Sequence, residues 1–343
     1  MGLFSSSDET YLGIDIGDSS IKMVELKKKN KKILLSNYGF SGNLGVKFGA
    51  VDNVDDIAGA VLKIKNEVGI KTNRATASLP TFAVFSSVIN LYNLDKKALA
   101  EAIHEEAKKV IPLPLQEMVL DWKILPEFSE GKNKNNVKVF LTGSPKKLVK
   151  KYIDIFSKAK LTLASLETET FSLIRSIMGN DKSSVIMAEV GANSTDISIV
   201  YKGIPILNRS IDISGTTVTK SLMEKMSVNF SEAEQMKYDI SVSGQAGMPA
   251  VVAKAVRPIV SELEYMIDFF NTNYNETLDK IILSGGGSLL FNFAEHIEEV
   301  LKTRVIIGDP WAHVYYPPEM KTVLRQLGPQ LAVAVGLAMR EIK

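Results

Sequence analysis

The chain has 343 residues with a formal net charge of +2, 45% apolar and 23% charged residues, three histidines and no cysteine. That length suits two lobes of about 150 residues each, and the near-average composition excludes disordered and fibrous chains. Near-neutral charge without a basic, aromatic-interleaved stripe argues against nucleic acid, and the absent cysteines and scattered histidines exclude thiolate metal sites and disfavour a His-based one.

No apolar run reaches the roughly 18 residues that span a bilayer, and the N-terminus lacks the apolar core of a signal peptide, so a cytosolic chain without direct membrane insertion is expected. Met1-Gly2-Leu3-Phe4-Ser5-Ser6 fits the N-myristoylation pattern formally, a match that chance also makes, and it reads as a loose tail. The first structured unit is a strand over 11–16, a polar turn over 17–20, a strand over 21–26 and a return strand over 33–38. The basic run from Lys27 to Lys32 is its solvated hairpin tip.

A βαββα pattern follows, with strands over 84–91, 118–125 and 137–142 and helices over 95–110 and 145–159. Leu94-Asp95 offers a helix cap, Leu99, Ala102, Ile103, Ala107 and Val110 mark one face, and Pro112 and Pro114 stop the helix. The Gly, Lys and Asn residues over 131–136 form an exposed hairpin tip. At mid-chain the grammar of the first unit returns: a strand over 185–190, a turn over 191–195, a strand over 197–201, a Lys202-Gly203 turn and a strand over 204–213. Asp15 falls opposite Glu189 and Gly17 opposite Gly191, an internal duplication that predicts two equivalent lobes and a cleft between them.

A helical region over 217–238, a break over 244–249 and a long helix over 250–274 come next. Ile259, Leu263, Ile267, Phe270 and Tyr274 form the buried stripe of the long helix, with Pro258 early in it. The chain then reads as a strand over 280–284, three glycines, a helix over 289–301, a strand over 305–307 and a final helix over 328–342.

The chemistry gathers in the repeated turns. Asp15 ends a strand, and Gly17, Asp18, Ser19 and Ser20 form a turn whose backbone N–H groups and hydroxyls can meet a phosphate, with Lys22 able to reach back as a point charge. Such turns are common in plain hairpins, and it is the second copy, Glu189 through Gly191, Asn193, Ser194, Thr195 and Asp196, that strengthens the reading. Two facing loops could grip β- and γ-phosphates while Asp15 and Glu189 hold waters of a magnesium ion. Gly285, Gly286 and Gly287, after a strand and before a helix, would let backbone approach a base or an α-phosphate, although three glycines at a strand end are otherwise a turn. Neither a Gly-Lys-Ser/Thr phosphate loop nor a GxGxxG dinucleotide fingerprint is present.

The order of Asp15–Lys22, Glu189–Asp196 and Gly285–Gly287 resembles the phosphate-1, phosphate-2 and adenosine motifs of the actin, Hsp70 and sugar-kinase superfamily. Within it the chain is most similar to the PilM family of type IV pilus assembly and next to FtsA, over almost its whole length. Leu166-Glu167-Thr168-Glu169 with Arg175 resembles the family's first connecting segment, which implies Glu169 near the metal or the γ-phosphate. Residues 231–237 resemble the helix whose Glu and Lys, here Glu234 and Lys237, touch ribose and adenine; read alone they are an i, i+3 surface ion pair. Gly215 sits in the turn where relatives show two glycines, and Gly308-Asp309-Pro310-Trp311 with Gly336 looks like the C-terminal segment.

The resemblance implies an α/β actin-like (ribonuclease H-like) fold with an FtsA/PilM-type α+β insert. The expected organisation is residues 1–83 as the first lobe, 84–165 as the insert, 166–184 as a connecting segment, 185–327 as the second lobe and 328–343 as a helix returning to the first lobe. It also implies ATP and Mg2+ as cofactors, Asp15 and Glu189 as metal residues, and Glu169 and Glu189 as catalytic ones. The partners implied are the N-terminal cytoplasmic peptide of PilN and other pilus assembly proteins, with recruitment to the inner face of the cytoplasmic membrane through a partner and self-association left open. Glu189 stands where the family usually has Asp, so slow or absent hydrolysis is expected, at most a weak ATPase. Two alternatives of other classes are an FtsA-like membrane-associated filament protein and a small-molecule kinase of the same superfold.

Overall fold

The computed structural model describes residues 9–41, 53–92, 98–126, 136–242 and 247–342. The N-terminal hexapeptide, the Leu94-Asp95 cap, the insert's tip over 131–135 and the break over 244–246 lie outside the described residues. Strands β1 (Glu9–Ile16), β2 (Ile21–Lys29) and β3 (Lys32–Phe40) form an antiparallel meander, and helix α1 (Val54–Glu67) leads to β4 (Arg74–Leu79), parallel to β1. The two faces of β2 sort by strand periodicity. Ile21 and Met23 pack toward α1, whereas Val24 and Leu26 join a cluster with the C-terminal helix.

The insert comprises β5 (Phe85–Tyr92), α2 (Leu99–Val110), β6 (Met118–Ile124), β7 (Asn136–Pro145) and α3 (Lys146–Lys158), with an antiparallel sheet ordered β5-β7-β6. It does not stand apart from the lobes. Tyr152, Ile155 and Phe156 of α3 enter the first-lobe core, while Leu125 and Phe140 enter the core of the second lobe.

Strand β8 (Thr162–Thr168) follows, parallel to β4, and completes a sheet ordered β3-β2-β1-β4-β8. The sequence reading has no strand here. As an edge strand β8 is only partly buried, and its sequence TLASLET carries no clean alternation. Helix α4 (Glu169–Leu173) runs on into a π-helical turn over Ile174–Met178, which ends at Gly179 with φ +55°.

The second lobe repeats the first. Strands β9 (Val185–Val190), β10 (Thr195–Tyr201) and β11 (Ile204–Ile211) make the meander, and α5 (Gly215–Met226), α6 (Phe230–Val242) and α7 (Ala250–Tyr274) pack on one face. The helical region predicted as one piece is broken at Ser227, whose φ of +54° ends α5. Strand β12 (Lys280–Ser284) lies parallel to β9, and after α8 (Phe293–Leu301) comes β13 (Val305–Ile307), giving the order β11-β10-β9-β12-β13. That order matches the first sheet strand for strand, so the duplication read from two hairpins extends to five strands per lobe.

The final helix α9 (Lys321–Met339) begins a full seven residues before the predicted start at Gly328. Gly328-Pro329 looks like a helix entrance, yet it is helix interior: the Pro329 carbonyl accepts from the Gly285 N–H at 2.9 Å and the Ser284 hydroxyl at 3.2 Å, and Trp311 packs against Gly328. Helix α9 touches both sheets, with Leu331, Ala334 and Val335 against β2 and Ala332, Val333 and Leu337 against β9 and β12.

Two glycines set its depth. A Cβ on Gly13 of β1 would stand 2.1 Å from the Ala334 carbonyl oxygen, and one on Gly336 would stand 1.9 Å from that of Ser172 in α4. Gly336→Ala is expected to destabilise the protein by about 3 kcal/mol or more through overpacking. Gly59→Ala, in α1 with nothing within 4 Å of where its methyl would stand, is expected to stabilise by about 0.5–1 kcal/mol. Urea midpoints moving in opposite directions would verify the pair; equal shifts would refute the close contact.

Candidate nucleotide-binding cleft

The two hairpin turns face each other across the cleft and have the same geometry. Gly17 N–H donates to the Ser20 carbonyl at 3.1 Å, and Gly191 N–H donates to the Ser194 carbonyl at 2.9 Å. Strand pairing places Lys22 beside Asp15 in the first copy and Asp196 beside Glu189 in the second. One copy therefore carries an ion pair where the other carries two like charges, which repel across a strand pair.

Asp15 is buried at the end of β1. One carboxylate oxygen accepts from Lys22 Nζ at 2.9 Å and the other from Ser78 Oγ at 3.1 Å, Ser78 being on the neighbouring β4. A small cavity of about 70 Å³ is walled by Asp15, Gly17, Lys22, Glu169, Glu189 and Asp196. Asp18, Ser19, Gly191, Asn193 and Ser194 complete it, with Pro80 and Phe82. A larger cavity of about 950 Å³ opens beside it, sharing Ser19, Lys22, Glu189 and Gly191.

The larger cavity gathers Ser20, Gly215, Glu234, Lys237 and Gly285 to Gly287, residues far apart in sequence. Gly215 opens α5, and its N–H donates to the Gly191 carbonyl at 3.1 Å, which aims the helix N-terminus at the cavity. Lys237 is more than half of a surface ion pair: its Nζ donates to Glu234 at 2.8 Å, to Thr219 at 2.9 Å and to the Gly215 carbonyl at 3.2 Å. Thr219 also donates to Glu234. Gly285, with φ +78°, lies where a Cβ would meet the Val190 carbonyl at 2.5 Å, so only glycine brings this loop onto β9.

Thr195 lines neither cavity. Its hydroxyl is turned inward and donates to the Ile213 carbonyl at 2.6 Å, closing the second hairpin. Several wall residues have no counterpart in the sequence reading. Pro80 and Phe82 follow β4, whose stretch carries no motif, and Gln326 and Gln330 of α9 lie before or beside the predicted helix start. An i, i+4 glutamine pair on a correctly started helix would have been the available signal.

Electrostatics set the state of the smaller cavity. Burial, the Asp15 carboxylate and Asp196 push the Glu189 carboxyl up to about 8, against the pull of Lys22. Burial pushes Asp196 up to about 6, with Ser210 and Ser194 hydrogen bonds opposing. Glu169 is raised well above its ordinary range by burial and then by Glu189, Asp196 and Asp15, although the Thr81 N–H opposes this. For Lys22, burial works downward and the Asp15, Glu189 and Glu169 carboxylates bring it to a net rise.

The donor set fits a hydrated cation. Among the described residues no three carboxylates or imidazoles converge to hold a bare ion. Glu189 Oε2 and Asp196 Oδ1 are buried without a hydrogen-bond partner, acceptors that the waters of a Mg2+ ion would satisfy.

Comparison with known proteins places the chain among relatives. The family described as type IV pilus assembly protein PilM matches residues 13–342. A solved structure of a PilM-PilN type IV pilus biogenesis complex aligns with 24% identity and a TM-score of 0.82, covering 97% of this chain and 98% of that one. MreB5 of Spiroplasma citri bound to AMPPNP aligns with 12% identity and a TM-score of 0.54, covering 97% and 96%. The cell division protein FtsA of Enterococcus faecalis is 20% identical over 88% of this chain and 78% of its own length. The fold is actin-like, as the resemblance implied.

The raised Glu189 carboxyl has a stability consequence. The folded chain holds this proton between the ordinary value of 4.5 and about 8, where the unfolded chain has lost it, so the contribution is complete below 4.5 and falls as pH rises to 8. Glu189→Gln, neutral throughout, is expected to melt about 3 °C higher relative to the parent at pH 8.5 than at pH 5.5, without nucleotide or divalent cation. A pH-independent difference in Tm would contradict the burial of that charge.

Proposed function

The chain belongs to the family of the type IV pilus assembly protein PilM, and from that premise we propose that it is an ATP-binding cytoplasmic scaffold of the pilus assembly complex at the inner membrane. The observation that carries the nucleotide part is the pair of matched glycine turns opening onto one cavity with Gly215, Glu234, Lys237 and the Gly285–Gly287 loop. Gly17 to Ser20 and Gly191 to Ser194 hold the β- and γ-phosphates, with Lys22 supplying the cation. Glu234 and Lys237 meet the ribose and base.

Asp15 and Glu189 would hold Mg2+ through waters, with Glu169 beside them, and the ion would supply neutralisation of phosphate charge. Both carboxyls are raised by burial and by their acidic neighbours, and a cation beside them would draw them back toward their ordinary range. Glu189 reaches one methylene farther than an aspartate would, which leaves the attacking water poorly placed and hydrolysis slow or absent.

The partner reading is that the N-terminal segment of PilN docks on this chain, which brings it to the cytoplasmic face of the membrane; no helix among the described residues is long and apolar enough to cross a bilayer. An apolar groove of about 400 Å³ between α3 and the edge strand β8, walled by Val149, Ile153, Leu163 and Leu166, suits a short extended peptide. Ile153 is half exposed there.

Fluorescent mant-ATP with Mg2+ is expected to bind, and Lys22→Ala to weaken it about tenfold, or about 1.4 kcal/mol; unchanged affinity would remove Lys22 from the site. Phosphate release is expected at about 0.01 s⁻¹ or slower, and to rise in Glu189→Asp. Turnover near 1 s⁻¹ in the parent would overturn the scaffold reading of the cleft. A labelled PilN N-terminal peptide is expected to bind the parent and lose affinity by at least about tenfold in Ile153→Asp, with mant-ATP binding retained; undiminished binding would move the peptide elsewhere.

A further inference from the structure

The first residues of α4 hold the insert at three points, and the first of them also faces the phosphate cavity. Glu169 accepts from both the Thr81 N–H and the Thr81 hydroxyl, each at 3.0 Å. Thr81 stands in the single turn between β4 and β5, Thr81–Ala83, through which the chain enters the insert. Thr170 reaches the same insert through a relay: it shares a hydrogen bond with Ser198 at 3.1 Å, Ser198 donates to Asn208 at 2.5 Å, and Asn208 donates to Ser86 of β5 at 2.7 Å. Phe171 meets Phe140 of β7 edge to face, with ring centroids 5.3 Å apart.

Of these three grips only the first touches the cavity. Pro80, Phe82 and Glu169 are parts of its wall, so the entry turn and its carboxylate holder face whatever fills it. Phe82 is 61% exposed, an apolar ring left at the mouth with room to move. The residues of the Thr170 relay and of the Phe171 contact line neither cavity.

We infer that Thr81 is a positioning residue that couples the phosphate site to the insert: it orients Glu169 toward the cavity and ties that carboxylate to the start of β5. A nucleotide and its cation filling the cavity restrict Pro80, Phe82 and Glu169 together, and the restriction passes through the two Thr81 hydrogen bonds into β5. The coupling is a loss of local opening, which needs no large rearrangement. It rests on the proposed nucleotide site and adds to it the route by which occupancy reaches the insert and the α3–β8 groove.

The test is hydrogen exchange of the full chain with and without mant-ATP and Mg2+, on the parent, Thr81→Val and Thr81→Ser, with mant-ATP affinity measured on the same samples. In the parent and Thr81→Ser, exchange over 81–92 is expected to slow by at least about fivefold on nucleotide binding. In Thr81→Val, which keeps the backbone N–H and loses the hydroxyl, the slowing is expected to fall below about twofold. Thr81→Ala gives the same reading should the valine not fold.

An equal slowing in Thr81→Val, or none in a nucleotide-bound parent, would overturn the coupling alone. So would loss of mant-ATP binding in Thr81→Val but not Thr81→Ser, since the hydroxyl would then act in binding itself. A parent that fails to bind mant-ATP would instead remove the nucleotide site on which the coupling depends.

Discussion

Two helices run between the two sheets, and everything else is arranged around how closely they meet. The backbone of α9 rests on β1 at Gly13 and on α4 at Gly336, at separations that leave no space for a methyl group. Close-packed interiors transmit such contacts without slack. Because β1 and β9 both end at the matched glycine turns, the depth at which α9 sits bears on how far apart Asp15 and Glu189 lie. A buried polar pin assists it: Glu167 of β8 accepts from Arg175 at 2.6 and 2.8 Å, from Ser172 at 2.7 Å and from Arg340. Burial alone would raise the Glu167 carboxyl, but the two guanidiniums and the hydroxyl bring it below its ordinary range.

The duplicated hairpins are alike in backbone and unlike in charge. Asp15 with Lys22 is a closed ion pair, while Glu189 with Asp196 is an acidic pair whose carboxyls burial raises. One lobe thus presents a site already neutralised, and the other stores unfavourable electrostatics that only a cation or a proton relieves. This asymmetry lies in charge and burial, the backbone of the two turns being the same. It also separates the two carboxylates that look equivalent when the hairpins are aligned.

The insert links the lobes as well as decorating the first one. Its helix α3 shares a core with α1, and its Phe140 and Leu125 share a core with the second lobe. A rearrangement of the lobes therefore strains the insert's packing, which makes it a natural reporter of the cleft. The α3–β8 groove lies on the first-lobe side of that bridge, where an edge strand leaves backbone groups open to an extended partner.

Much of this was legible in the residues. Local backbone chemistry, namely a strand end, a glycine and small hydroxyls at equal spacing in two places, was enough to find both glycine turns and the duplication, because turn geometry is decided by a few adjacent residues. The order of the insert's five elements was legible for the same reason. Edge strand β8 and the true start of α9 were not: β8 is recognised only by its pairing with β4, and Gly328-Pro329 is helical only because Trp311, Gly285 and Ser284 supply the partners. The aim of the Thr195 hydroxyl and of the Lys237 ammonium was not legible, since each depends on groups about twenty residues away. The kinds of chemistry open to this chain, two carboxylate-glycine turns and a third glycine loop, are written within short segments and so can be read from the residues alone. Which of those groups converge, which are already paired and which hold a buried charge without relief is settled by tertiary packing, because distance and desolvation are properties of the packed chain.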